Sequence, residues 1–97
     1  MLDFLQKQSL ILMQSLLGVI SNNFRMVSIE TSNSNVTVQI VLEFENIDDL
    51  EEIEDLKSEF EALQETAINY EFVVKATSED LPWPNEKSIV VFRRREF

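Results

Sequence analysis

Ninety-seven residues with 44% apolar and 27% charged side chains describe one folded acidic α/β domain over 1–97, even at a formal net charge of −10. The absence of Cys excludes disulfides and thiolate chemistry, and the absence of His removes the commonest general base and metal ligand. Eight Lys and Arg against eighteen Asp and Glu argue against a nucleic-acid surface and for a basic protein as partner.

The first segment, Leu2 to Ser21, sets Leu2, Leu5, Leu12, Leu16, Val19 and Ile20 on one side at helical spacing. Leu10, Ile11, Met13 and Leu17 widen that stripe past half the circumference. Gly18 costs about 1 kcal/mol relative to Ala inside a helix, and Ser21 to Asn23 give a stop, so the helix is expected to end near Asn22. The apolar run Leu10 to Ile20 is too short to span a bilayer, which needs about 20 residues. Asp3 and the polar pair Gln14 and Ser15 also argue against an export signal, so a cytoplasmic protein is expected.

Val27 and Ile29 favour a strand over Arg25 to Thr31, followed by the polar tip Ser32 to Asn35. The return strand alternates cleanly, with Val36, Val38, Ile40, Leu42 and Phe44 expected to face the core. Asn46 can then cap a second helix by accepting from the N–H of Asp48 or Asp49, and the first-turn carboxylates suit the positive end of its dipole. Its expected core stripe is Ile47, Leu50, Ile53, Leu56, Phe60, Leu63 and Ala67, opposite an acidic ridge of Asp48, Glu52, Asp55 and Glu59.

After Asn69, Tyr70, Phe72, Val74 and Ala76 alternate in a third strand. Ser78 to Glu86, holding Pro82, Trp83 and Pro84, reads as an ordered loop. Ser88 to Arg95 gives a fourth strand, apolar on both faces and therefore expected at a central position. The order α-β-β-α-β-β implies an α+β fold, a two-layer sandwich whose four-stranded sheet carries two helices on one face. Strands flanking the second helix run parallel if that helix is a crossover.

Eleven of the eighteen carboxylates lie between Glu43 and Glu65, and Lys57 is the one basic residue of the second helix. Like charges three and four residues apart cost about 0.2–0.5 kcal/mol per pair, so the ridge is a candidate for a contact that offsets this; its plain counterpart is a solvated helix face. A Ca²⁺ or Mg²⁺ site is not expected, since the carboxylates sit on a capped helix and not on a Gly-containing ligand loop. Acid and base carboxylates of the glycosidase kind lack an accompanying aromatic set, and no cofactor motif is present. Trp83, stiffened by two prolines, is a candidate interface anchor, against the alternative that it closes one end of the core. Arg93, Arg94 and Arg95 are expected to pair with the acidic helix or with Glu30, Glu43 and Glu71 across the sheet.

In size, charge, lack of Cys and His, layer order and the Lys87 to Glu96 segment with its three arginines, the chain resembles the immunity proteins that neutralise bacterial toxins, including those of contact-dependent growth inhibition systems. The resemblance implies a non-enzymatic cytosolic inhibitor that binds the catalytic domain of its cognate toxin, often a basic nuclease, and blocks substrate access. On that reading Asp48, Glu52, Asp55 and Glu59 steer association and Trp83 anchors it. The alternative is an acidic dimeric secretion chaperone, for which Leu10, Ile11, Met13 and Leu17 would have to be exposed, requiring a homodimer or a masked client.

Overall fold

The first helix begins at a reciprocal cap. The Asp3 carboxylate accepts from the Gln6 backbone N–H at 2.8 Å, and the Gln6 side-chain oxygen accepts from the Asp3 N–H at 3.1 Å. The computed structural model describes residues 1–96, arranged as α1 (Phe4–Ser15), β1 (Phe24–Ser32), β2 (Asn35–Leu42), α2 (Ile47–Ala62), β3 (Asn69–Ala76) and β4 (Ser88–Arg93). This is the expected α+β order. α1 stops short of Asn22, however: Leu16 caps it, the Val19 N–H returns to the Leu16 carbonyl, and Gly18 takes φ +82°, a left-handed conformation that breaks the helical run. The expected stripe therefore divides. Leu12 and Leu16 are buried and Leu5, Ile11 and Val19 pack against the core, whereas Leu2 and Ile20 are exposed.

β1 and β2 form an antiparallel hairpin closed by Asn33 and Ser34, both at positive φ, the geometry that matches the twist of two-residue hairpins. β2 and β3 run parallel on either side of α2, and β4 pairs antiparallel with β1, giving the strand order β3-β2-β1-β4. The core lies between sheet and helices: Phe24, Val27, Ile29, Val36, Val38, Ile40 and Leu42 meet Leu12, Leu16, Ile53, Leu56 and Phe60. Phe60 makes edge contacts with Tyr70 at 5.6 Å and Phe72 at 5.5 Å, which seats α2 on the β3 side.

β4 is an edge strand, not a central one. Its two-sided apolar character has a different cause. β3 ends beside Leu42 at one end of the sheet while β4 starts beside Glu30 at the other, so the segment joining them must cross both inner strands. It crosses the face away from the helices, where Arg93, opposite Met26, donates to the Leu81 carbonyl and stacks on Trp83. Met26, Ser28 and Val41 are buried on that face, so only the part that carries Gln39, Glu71 and Lys75 is open to water. On the core side, Ile89, Val91 and Phe92 pack against the helix layer.

The two helices are antiparallel. Gln8 of α1 exchanges two amide hydrogen bonds of 2.8 Å with Gln64, just past the end of α2, while Asn23, after the exit of α1, bonds Asp49 in the first turn of α2 at 2.8 Å. Replacing Asn23 by Ala strips the donor from the Phe44 carbonyl and from buried Asp49, and is expected to cost about 1–3 kcal/mol in urea unfolding. Gly18→Ala should cost about 1 kcal/mol in the same measurement, because nothing lies near the added methyl and only the positive φ is strained.

Candidate functional site

The acidic surface starts from the phase of α2. Asn46 caps the helix, its oxygen accepting from Asp48 and Asp49 at 2.9 and 3.2 Å, and Asp49, Ile53, Leu56 and Phe60 turn inward. With about 100° per residue, Asp48, Glu52, Asp55 and Glu59 fall together on one flank, about 100° from the core direction. All four are exposed. Gln64 reaches α1 from the opposite flank, which places the ridge on the side of α2 turned away from α1.

The ridge keeps its charge. Among the described residues the ion pairs are Arg25 with Glu96, Lys57 with Glu54, and Arg94 with both Glu43 and Glu96; none of the four ridge carboxylates enters them. Lys57 holds Glu54 at 3.2 Å and so leaves the ridge alone.

The expectation for the C-terminal arginines is met by Arg94, which reaches Glu43 at 2.7 Å. Arg93 instead lies 4.5 Å from the centre of the Trp83 ring and bonds the Leu81 carbonyl and Met26 sulfur. Trp83 remains 66% exposed, so it does not close the core. It lies on the helix-free side of the sheet, and the fold does not bring it together with the α2 ridge. The strongest charged contact involves a residue that sequence reasoning passed over: buried Arg25 meets Glu96 through two bonds of 2.7 and 2.8 Å and donates to the Thr77 carbonyl. Hydrogen bonds from Arg25 and then Arg94 hold the Glu96 carboxyl at about 2, well below 4.5. The hydrogen bonds to Glu96 raise the Arg25 pKa, and those to Glu43 first and then Glu96 raise that of Arg94.

Further apolar residues depart from expectation, among them Ala67, which is exposed past the end of α2 at Ala62. Phe44, expected on the inner face of β2, is 56% exposed, and Ile47, expected in the core stripe, is 72% exposed. Leu50 is also exposed. Successive steps of three residues rotate by about −60° each around a helix, so Ile47 and Leu56 lie on opposite sides although the spacing links them through Leu50 and Ile53. Phe44 is turned outward because β2 ends at Leu42 and both polar backbone groups of Phe44 are taken by the Asn23 side chain, at 2.7 and 3.2 Å. The sequence signal was there: Phe44 stands between Glu43 and Glu45, immediately before a cap. On α1, Leu10 and Met13 are exposed and Ile11 is half-buried, and Leu17, just past the end of the helix, is exposed.

Among the described residues no cluster of His, Cys, Asp or Glu is placed to hold a metal ion, and no helix is long and apolar enough to cross a membrane. The Glu96 contacts carry a sign for acid stability. A carboxylate ionised more easily in the fold than in the unfolded chain contributes fully above about 4.5, and its contribution fades as pH falls toward about 2. Glu96→Gln should therefore lower the melting temperature at pH 7, with the gap to the parent closing between pH 4.5 and 2 in a thermal series.

No curated protein matches the chain. The family model of the MafI2 immunity protein matches residues 6–96, a span that takes in both helices, all four strands and the Arg25–Glu96 contact. The chain thus belongs to the MafI2 immunity protein family.

Proposed function

We propose that this protein protects the cell that makes it by binding the catalytic domain of a basic cognate toxin in the cytoplasm and blocking access to its active site. The observation that carries this reading is the ridge of Asp48, Glu52, Asp55 and Glu59: four exposed carboxylates on one flank of a rigid helix, none held in an ion pair. A nuclease active site is built to receive phosphates, so a fixed row of carboxylates is an electrostatic substitute for its substrate. Such a row raises the association rate by about 10–10³-fold at low salt, and the gain shrinks as the screening length falls to about 8 Å at physiological ionic strength. Trp83, pre-stacked on Arg93, offers an anchor on the other side of the sheet for a toxin that wraps around the domain.

Reversing Glu52, Asp55 and Glu59 to Lys should slow association with the cognate toxin catalytic domain by about tenfold or more in low salt, while the melting temperature moves little. An association rate unchanged at low salt would remove the ridge from the interface.

The exposure of Leu10, Met13 and Leu17 favours a second element of the reading, also required by a chaperone, in which two copies pair through α1. α1 carries Lys7 as its one charged residue, so two copies meeting there keep their carboxylate-rich α2 helices apart. Light scattering should then give twice the 11.3 kDa chain mass, falling to the single-chain value in Leu10→Ser with Met13→Ser.

A further inference from the structure

The toxin-binding reading leaves open what holds the partner once charge has drawn it in. Phe44 and Ile47 sit where that question can be answered. They are more exposed than large apolar side chains need to be: Phe44 lies beyond the end of β2, and Ile47 points away from the Leu56 side of α2. Neither belongs to the core cluster. Each is set among exposed carboxylates by chain connectivity: Phe44 beside Glu45 and next to Glu43, whose carboxylate pairs with Arg94, and Ile47 beside Asp48 and one turn from Glu51.

Both are also held still. The Asn23 amide grips Phe44 through its carbonyl and its N–H, and Ile47 is the first residue of a helix fixed by the Asn46 cap. Side chains on a backbone ordered in advance lose less freedom on binding, which favours their use as anchors. An apolar centre on rigid backbone with a charged rim matches the anatomy of a protein interface.

Resting on the toxin-binding reading, we infer that Phe44 and Ile47 form the apolar anchor of the interface, and that they receive a toxin surface in which an apolar pocket is bordered by Lys or Arg side chains. Charge complementarity selects this occupant. A second copy docking through the same patch would oppose its Glu45, Asp48 and Glu51 to their own counterparts, whereas a cationic border pairs with them. The ridge then governs how fast the partner arrives and the anchor governs how long it stays.

The test measures binding of the full chain to its cognate toxin catalytic domain, by surface kinetics, with Phe44→Ser and Ile47→Ser as separate variants and Leu2→Ser, exposed and outside both the patch and the α1 pairing face, as a control of equal character. The expected result is dissociation faster by about 10–100-fold for each anchor variant, with association within about twofold of the parent and Leu2→Ser unchanged. If Phe44→Ser lowers the melting temperature, Ile47→Ser decides, since its side chain contributes nothing to the core. Unchanged dissociation in a complex that still forms overturns the anchor and leaves the immunity reading standing. Absence of binding by the parent chain overturns both. A parent dimer that the anchor variants convert to monomer assigns the patch to a second copy and overturns the cationic occupant.

Discussion

The side-chain amide of Asn23 joins three parts of the chain that must meet for this surface to exist. Its nitrogen donates to the Phe44 carbonyl and to Asp49, and its oxygen accepts from the Phe44 N–H. These bonds tie the start of β1, the end of β2 and the first turn of α2. Every donor and acceptor is used in a buried setting, where an unmet polar group is expensive, so the alternatives to this arrangement are penalised together. The carboxylate of Asp49 shares in the arrangement: buried at the helix start, it is matched to the positive end of the dipole and to an amide donor. Loss of this node would free the direction of α2, and with it the ridge and the two outward apolar residues.

A protein with so few cations can keep a negative surface only by engaging those cations with carboxylates outside the ridge, and the fold does this. Arg25 and Arg94 gather Glu96 and Glu43, Arg93 lies on Trp83, and Lys57 takes Glu54. The segment crossing the helix-free face is held by the same residues, through the Thr77 and Leu81 carbonyls. The arginines thus stabilise the closure of the sheet, and the ridge is left to repel itself at about 0.2–0.5 kcal/mol per neighbouring pair. A domain that tolerates this penalty on one flank while satisfying its charges on the other is polarised, and polarisation gives an approaching cation a preferred side.

Period and punctuation made most of the fold legible. The alternation from Val36 to Leu42 places β2 and its buried face, Asn46 marks the start of α2, and the crossover rule gives the parallel pairing of β2 and β3. The departures have local causes. α1 ends early because the left-handed Gly18 interrupts a stripe that composition alone would continue to Ile20. β4 looks like a central strand because its outer face is screened by a loop, and a loop crossing a sheet leaves no periodic trace. Of the candidate site, the ridge was legible as four carboxylates at helical spacing. The Arg25–Glu96 contact joins residues far apart in the chain and has no local pattern to announce it.

The misassigned apolar residues teach the most about reading such a sequence. A stripe built on repeated steps of three winds around the helix, so its first and fourth members cannot share a core. In α2 the winding carries the chain from an outward Ile47 to an inward Leu56 within three turns, and the inward direction is then kept by the step of four to Phe60. What the residues between them are then matters: apart from Leu50 and Ile53 they are Asp48, Asp49, Glu51, Glu52, Glu54 and Asp55, so the apolar residue left outside has a mostly charged border. An isolated Ile in that setting gains nothing from its own fold. It gains free energy on leaving water only when another surface covers it, and a cationic surface would meet that border with attraction. On the proposed toxin-binding reading, the same few residues set both the side from which the partner arrives and the chemistry it brings.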